Sequence, residues 1–334
     1  MIFPFTAIVG QDDLKRALIL NIIDPGIGGL LIIGEKGTAK STAVRALAEL
    51  LPEVEMVADC RFFCDPAGPL CPHCQGHDVL HAATKKMKVV ELPLGVSEDR
   101  LVGTLDIEYA IKHGEKKFEA GLLADANRNF FYIDEVNLLE DHIIDLLLDS
   151  AAMGINTVER EGMSFTHPSR FILVGSMNPE EGDLRPQLLD RFGLSVRVSG
   201  LRDKNQRLEI LKRKAAFDDD PNGFAKLWAD EQKKTAEVIE SARQRLKSIE
   251  LADDILEKIV ALTSSLRLDG HRADIVIMKA SRALTALDGL SCVSLRQIKE
   301  AALLALGHRR KTHPFEDQES GRKNLETAIE ECLA

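Results

Sequence analysis

The sequence predicts an α/β domain built on a parallel sheet, followed by an all-helical domain. Three observations predict it. The apolar run Leu30 to Ile33 leads through Gly34-Glu35-Lys36-Gly37-Thr38-Ala39-Lys40-Ser41 into a helical pattern, which is the strand, phosphate loop and helix of a nucleotide triphosphatase. The buried run Phe130-Phe131-Tyr132-Ile133 ends in the paired carboxylates Asp134 and Glu135. Beyond Arg202 the strand-like runs stop and amphipathic helical spacing takes over.

Taken in order, the strands expected in the first 199 residues are Leu30 to Ile33, Val54 to Ala58, Phe130 to Ile133, Phe171 to Gly175 and Leu194 to Val198. The third and fourth are apolar enough to be central. Two long excursions, about 60–121 and 151–170, interrupt the alternation, and segments of that length in a compact domain carry function or structure of their own. The second domain, 200–334, is read as a linker and helical lid. Its turn cluster is Asp218 to Gly223, and helical spacing runs over Lys234 to Lys247, Ala252 to Leu266, Arg272 to Leu287 and Ser294 to Arg310. Ser294 with Gln297 three residues on forms a capping box.

At 334 residues the chain exceeds the size at which single cores split, so two domains are expected. Lys and Arg total 43 against 53 Asp and Glu, a net charge of −10, which is a poor general surface for nucleic-acid phosphate. No nucleic-acid partner is expected. No apolar run is long enough to span a bilayer, and the start Met-Ile-Phe-Pro-Phe has neither a basic region nor a cleavable apolar one, so the expected location is cytoplasmic.

A bound triphosphate and its magnesium need inward-pointing N–H groups, an ammonium on the phosphates, a hydroxyl on the metal and a carboxylate behind it. Lys40, Ser41 and Asp134 fit the last three needs, and Glu135 is placed to polarise the attacking water. Ala39 stands where glycine is usual, so the backbone there is expected in an ordinary region or slightly strained. Asn178, ending the run Phe171 to Met177, is read as a contact to the terminal phosphate or water, with a plain turn residue before Pro179 as the alternative. Arg191, in Leu188-Leu189-Asp190-Arg191-Phe192-Gly193, is placed to reach a neighbouring subunit's phosphate, and its alternative is a surface pair with Asp190. Arg272 opens a helix from which it can sense nucleotide from the lid side, the alternative being a solvated first-turn arginine.

On these residues and on further stretches the chain resembles the I subunit of magnesium chelatase, an AAA+ ATPase. The stretches are Ile8 to Gln11, Gly34 to Ser41, Leu92 to Arg100, Tyr132 to Leu139, Val158 to Gly162, Asn178 to Gly182 and Leu184 to Gly193. The similarity runs from Phe5 to about Arg310. Many ATPases share the phosphate loop, whereas the stretches at 92–100 and 178–193 are much more specific.

The resemblance implies an AAA+ P-loop domain with a helical lid, with ATP and magnesium as cofactors. It implies Gly34, Gly37, Thr38, Ala39, Lys40, Ser41 and Thr42 around the nucleotide, Ser41 and Asp134 toward its magnesium, and Asp134 and Glu135 as the acidic pair. Asn178 is the implied first sensor, Arg191 the trans-acting finger and Arg272 the second sensor. It further implies a hexameric ring, a D-type AAA+ partner and a large porphyrin-binding subunit that carries the chelation site. The chain is then the motor of a ligase forming nitrogen–metal bonds, inserting magnesium into protoporphyrin IX in chlorophyll biosynthesis. The family's inserted hairpins correspond to 95–121 and 155–168. A cobalt or other metal chelatase, and a MoxR-like chaperone acting on a protein, are the competing assignments.

The segment Cys60-x3-Cys64-x6-Cys71-x2-Cys74, with His73, His77 and His81 nearby, stands outside the nucleotide machinery. Four soft ligands within fifteen residues point to a structural metal, with tetrahedral zinc expected. Ordinary reduced thiols and an iron–sulfur cluster are the alternatives.

Overall fold

A computed structural model describes the chain except residues 36, 78, 115–116, 161, 183, 269, 310–317 and 334; of residues 107, 110, 160, 163 and 318–321 it describes the backbone alone. Lys36, Glu161 and Arg310, which belong to the stretches and the last helix read above, therefore lie outside the described residues, as does part of the 95–121 hairpin. The chain divides into two compact units, Phe3–Lys40 with Met177–Ala334, and Ser41–Ser176.

In the first unit, strand Leu30–Gly34 runs parallel to strand Leu194–Val198. Both are apolar and buried, except that the Leu194–Val198 strand turns Arg197 outward. Gly34 is required by this pairing, because a Cβ there would lie 2.0 Å from the Val198 carbonyl oxygen. From Lys204 onward the elements are helices: Lys204–Asp219, Pro221–Leu227, Ala229–Arg245, Asp253–Ser265, Arg272–Leu287, Leu295–Leu306 and Gln318–Leu333. The Asp218 to Gly223 cluster is a junction between two of them, where the Asp220 carboxylate accepts from the Gly223 N–H at 2.9 Å. Buried Ala273, Ile277, Ala280 and Leu284 recur on one face of their helix and pack with Ile298, Ala301, Ala302 and Ala305 of the next. The Ser294 N–H donates to Gln297 Oε1 at 3.2 Å, one half of the expected capping box. Helix Gln318–Leu333 has no counterpart in the sequence reading.

In the second unit, strand Phe130–Ile133 lies between two parallel neighbours, Val89–Leu92 and Ile172–Met177. Its four residues are all buried, as the run of apolar residues requires of a strand covered on both faces. Two expectations need correction. Val54–Val57 does not join the parallel strands; it pairs antiparallel with Ala82–Lys85 in a separate ribbon, because its Glu55 faces solvent and only Val57 is buried. The place beside Phe130–Ile133 belongs instead to Val89–Leu92, inside the first excursion, where Glu91 pairs with Arg45 and Pro93 ends a run too short to stand out. Two more antiparallel ribbons occupy the excursions: Gly103–Leu105 with Phe118–Ala120, and Ile155–Arg160 with Met163–Pro168.

Candidate active site

The phosphate loop follows strand Leu30–Gly34 and gives way at Lys40 to helix Lys40–Leu50. Gly37 has φ +81°, and no heavy atom stands within 4 Å of where its Cβ would be, so the backbone there is open to a ligand. Ala39 also has a positive φ, +61°. Of the two states expected for it, ordinary or strained, the loop takes the strained one, at a cost of roughly 1 kcal/mol for a residue with a Cβ. The Thr38 hydroxyl donates to the Glu35 carbonyl at 2.9 Å. Lys40 is buried, and its ammonium donates to the Gly34 carbonyl at 2.6 Å, folding over the loop it terminates. Ser41 and Thr42 fill the first turn of the helix, where N–H groups lack intrahelical partners and the helix dipole favours an anion. An open glycine turn, a lysine turned inward and a helix N-terminus suit a phosphate chain.

Asn178 follows strand Ile172–Met177, is buried, and caps the short helix Pro179–Glu181 by accepting from the Glu180 N–H at 3.3 Å. The turn role is therefore present. Asn178 also lines, with Gly34, Glu35, Arg197 and Arg322, a cavity of about 500 Å³ at the mouth of the loop. The turn role and a place on the cavity wall belong here to the same side chain.

The acidic pair ends strand Phe130–Ile133. Asp134 is exposed, and one of its oxygens, Oδ1, accepts from the Tyr132 hydroxyl at 3.0 Å and the Ser176 hydroxyl at 2.5 Å. Burial pushes the Tyr132 phenol well above its ordinary range, so it stays a donor. Two donors on one oxygen fix the carboxylate plane. Glu135 sits at φ +57°, and its N–H donates to the same Ser176 hydroxyl at 3.1 Å. Ser176 thus ties both acids to the neighbouring strand. Sequence reasoning missed it because a serine in a buried strand reads only as a tolerated small residue.

Arg191 ends helix Pro186–Arg191 and is half-buried. Its neighbour Asp190 accepts at Oδ1 from Arg309 Nε at 2.9 Å, and its Oδ2 lies 3.8 Å from Arg272 Nη1. Arg309, only 4% exposed, also donates from Nη2 to the carbonyls of Asp190 at 2.9 Å and Phe192 at 2.7 Å, and from Nη1 to Gly193 at 2.9 Å. The His308 ring nitrogen Nε2 meets the Phe192 carbonyl at 2.9 Å and donates to it, while burial and the Arg309 charge pull the His308 pKa down to about 3. The segment 190–193 is therefore clasped by the chain just after helix Leu295–Leu306. Arg272, 44% exposed at the start of its helix, donates to the Asp190 carbonyl of this segment at 3.4 Å. Arg309 was overlooked because a basic pair after a helix reads as a solvated last turn.

Cys60, Cys64, Cys71 and Cys74 converge, their sulfurs all within 4.8 Å of one another and their exposures 5%, 0%, 0% and 1%. The three histidines nearby are exposed and stand outside the group. Hydrogen bonds from Cys64 and Cys71 pull Cys60 far below the ordinary thiol range; hydrogen bonding to Cys60 drives Cys64 up, and burial pushes Cys74 up to about 12. Thiols this close and this buried could hold one metal ion.

Among the described residues no helix is long and apolar enough to cross a membrane. The AAA domain family (dynein-related subfamily) matches residues 77–192, and the AAA lid domain matches 256–328. A magnesium-chelatase subunit ChlI homolog of Methanocaldococcus jannaschii is 56% identical over 99% of this chain and 91% of its own length. The magnesium-chelatase 38 kDa subunit of Rhodobacter capsulatus is 50% identical over 99% and 94%. Among solved structures, a BchI–BchD complex of magnesium chelatase matches at 49% identity and a TM-score of 0.56, covering 97% of this chain and 99% of that one. A putative ATPase from Cytophaga hutchinsonii, 19% identical with a TM-score of 0.65 over 97% of this chain and 90% of that one, shares the fold. Identity of about half over nearly the whole chain, which carries a phosphate loop, an acidic pair and a helical lid, leads to one assignment: the chain belongs to the magnesium-chelatase ChlI subunit family.

Proposed function

We propose that this chain is the ATPase motor of a magnesium chelatase, hydrolysing ATP so that a multi-subunit complex inserts magnesium into protoporphyrin IX. The observation that carries the reading is full-length identity of about half to magnesium-chelatase subunits, in a chain whose phosphate loop is open at Gly37 and closed over by Lys40. Residues 1–199 form the nucleotide-binding domain, with insertions at about 60–121 and 151–170, and 200–334 the linker and helical lid; the AAA and lid matches support this division.

The backbone of Gly34, Gly37, Thr38 and Ala39 and the first turn at Ser41 and Thr42 bind the phosphates, with Lys40 countering their charge. Magnesium, when bound, supplies further charge neutralisation; the Ser41 hydroxyl and the Asp134 carboxylate, held in plane by Tyr132 and Ser176, are the groups that would hold it. Glu135 orients and polarises water. Its left-handed backbone is strain of the kind that gathers at functional sites. Asn178 contacts the terminal phosphate or the water, Arg191 reaches a neighbouring subunit's phosphate, and Arg272 reports nucleotide to the lid.

A ring of like subunits, a hexamer, gives Arg191 a site to serve. The D-type AAA+ subunit and a large porphyrin-binding subunit complete the complex, and the BchI–BchD structure supports the first of these. All six cysteines are free thiols, which suits a reducing, cytoplasmic location. Cys60, Cys64, Cys71 and Cys74 hold one structural zinc; a zinc–sulfur distance of about 2.3 Å makes a tetrahedron of sulfurs with edges of about 3.8 Å, and Cys60 and Cys71 already stand 3.9 Å apart.

ATP turnover and nucleotide binding by the isolated chain test the reading together. Wild type is expected to hydrolyse MgATP and Lys40→Ala to lose both binding and turnover. A wild-type chain that binds no MgATP would overturn it.

A further inference from the structure

The cysteine module does not stand alone. Phe62 lies between the first two ligands, two residues from each, and its ring stacks on His167 at 4.7 Å and tilts against Phe165 at 5.6 Å. Phe118 stacks on Phe165 at 4.3 Å. Phe118 belongs to the first inserted hairpin, Phe165 and His167 to the second, so three separate chain segments meet on one aromatic cluster. The cysteines, Phe62, Val57 and Ala124 form a single apolar core with Phe118 and Phe165 packed against it. The hairpin side is built for the contact. A Cβ on Gly103 would lie 2.4 Å from the Phe118 ring, so glycine alone lets that ring seat on its own hairpin partner.

The backbone around Phe62 is held by turns and single bonds rather than by a ladder: the Cys60 N–H donates to the Val57 carbonyl at 3.3 Å and the Phe63 N–H to the Cys60 carbonyl at 3.1 Å. Between the ribbon strands Val54–Val57 and Ala82–Lys85, the only helix among the described residues is Pro72–Gln75. The Phe62 carbonyl accepts from Asn127 Nδ2 at 2.6 Å, and the Val57 N–H donates to the Cys64 carbonyl at 2.8 Å. A loop held by turns rather than by a strand or helix ladder gains from a staple that fixes a core side chain, and a closed thiolate metal site supplies one.

Resting on the zinc reading above, we infer that the metal held by Cys60, Cys64, Cys71 and Cys74 anchors the roots of both inserted hairpins through Phe62, so that the hairpins and the cysteine module move as one body. The ligand is a single thiophilic divalent cation, and its task is to transmit rigidity. Cys60 and Cys64 clamp the backbone on either side of Phe62; Phe62 seats Phe165 and His167; Phe165 seats Phe118. Losing the metal frees the first link and loosens both hairpins together. The phosphate loop and its parallel pair do not depend on it.

The test is amide hydrogen exchange on the full-length chain, prepared anaerobically, with zinc measured by elemental analysis before and after stripping with a thiol-competing chelator. About one zinc per chain is expected before stripping. Stripping should speed exchange in strands 103–105, 118–120, 155–160 and 163–168 by about tenfold or more, while strands 30–34 and 194–198 change by less than about twofold. Phe62→Ala should keep its zinc yet show the same loosening, which separates the anchor from the metal and guards against a stripped protein that merely unfolds. Absence of zinc from the purified chain would overturn the metal reading and the anchor with it. Zinc present, with hairpin exchange unmoved by stripping, would overturn the anchor and leave the metal reading standing. Loosening by Phe62→Ala but not by stripping would assign the hairpins to aromatic packing alone, again against the inference.

Discussion

Two side chains with a Cβ, Ala39 and Glu135, hold left-handed backbone in the nucleotide machinery, and each carries a different lesson. At Ala39 the conformation belongs to the loop and the residue is the compromise. Ala39→Gly relieves the Cβ penalty but adds unfolded-state entropy, terms of roughly 1 kcal/mol each way. Stability is therefore expected to stay within about 1 kcal/mol of wild type and nucleotide affinity to be kept, as denaturant unfolding and titration with a fluorescent nucleotide would show; a larger loss would mean that Ala39 makes a contact glycine cannot replace. At Glu135 the proposed role lies in the charge of the carboxylate. Glu135→Gln keeps the shape and removes the charge, so turnover should fall by about 10²-fold or more while MgATP binding changes little. Turnover within a few-fold of wild type would remove Glu135 from catalysis.

The clasp on residues 190–193 is a property of elements, since it joins the end of helix Leu295–Leu306 to the end of helix Pro186–Arg191. Arg309→Ala takes one cation from Asp190, whose side chain is 45% exposed and keeps Arg272 nearby, and leaves the Phe192 and Gly193 carbonyls without this donor, at an expected cost of about 1–2 kcal/mol. Arg309→Lys should recover little of it, because an ammonium cannot fork between Asp190, Phe192 and Gly193. Thermal unfolding of both variants measures this, and full recovery by lysine would contradict the fork. The clasp also sets a pH dependence. His308 is a base whose folded pKa, about 3, lies below its unfolded value of about 6.5, so between those values the unfolded chain binds the extra proton. Its contribution to stability is complete above pH 6.5 and is lost as pH falls toward 3. Buried His167 adds in the same direction. His308→Gln should flatten the decline in unfolding free energy below pH 6.5, and an unchanged slope would count against the assignment. This clasp was invisible in the sequence because it depends on residues some 116 positions apart. The strands Phe130–Ile133 and Leu194–Val198 and the helix Arg272–Leu287 were legible because burial on both faces, or on one helical face, writes itself into local periodicity. Val54–Val57 was legible as a strand but not in its partner, since pairing direction leaves no mark in so short a run.

As the proposed motor, this chain acts through other subunits. A finger that serves a neighbour predicts that Arg191→Ala subunits mixed with Lys40→Ala subunits regain part of the ATPase activity, since some interfaces then pair an intact loop with an intact finger. Mixed assemblies shown to form without any recovery would place Arg191 outside a shared site. The chain alone should hydrolyse ATP and insert no metal, its aromatic content of 5% giving little with which to enclose a porphyrin. The most direct measurement is therefore reconstitution with a D-type and a large porphyrin-binding chelatase subunit, following the absorbance of protoporphyrin IX in the presence of magnesium and ATP. Magnesium porphyrin is expected when the wild-type chain is present and none when it is omitted or replaced by Glu135→Gln; insertion that proceeds equally well without this chain would overturn its role as the motor.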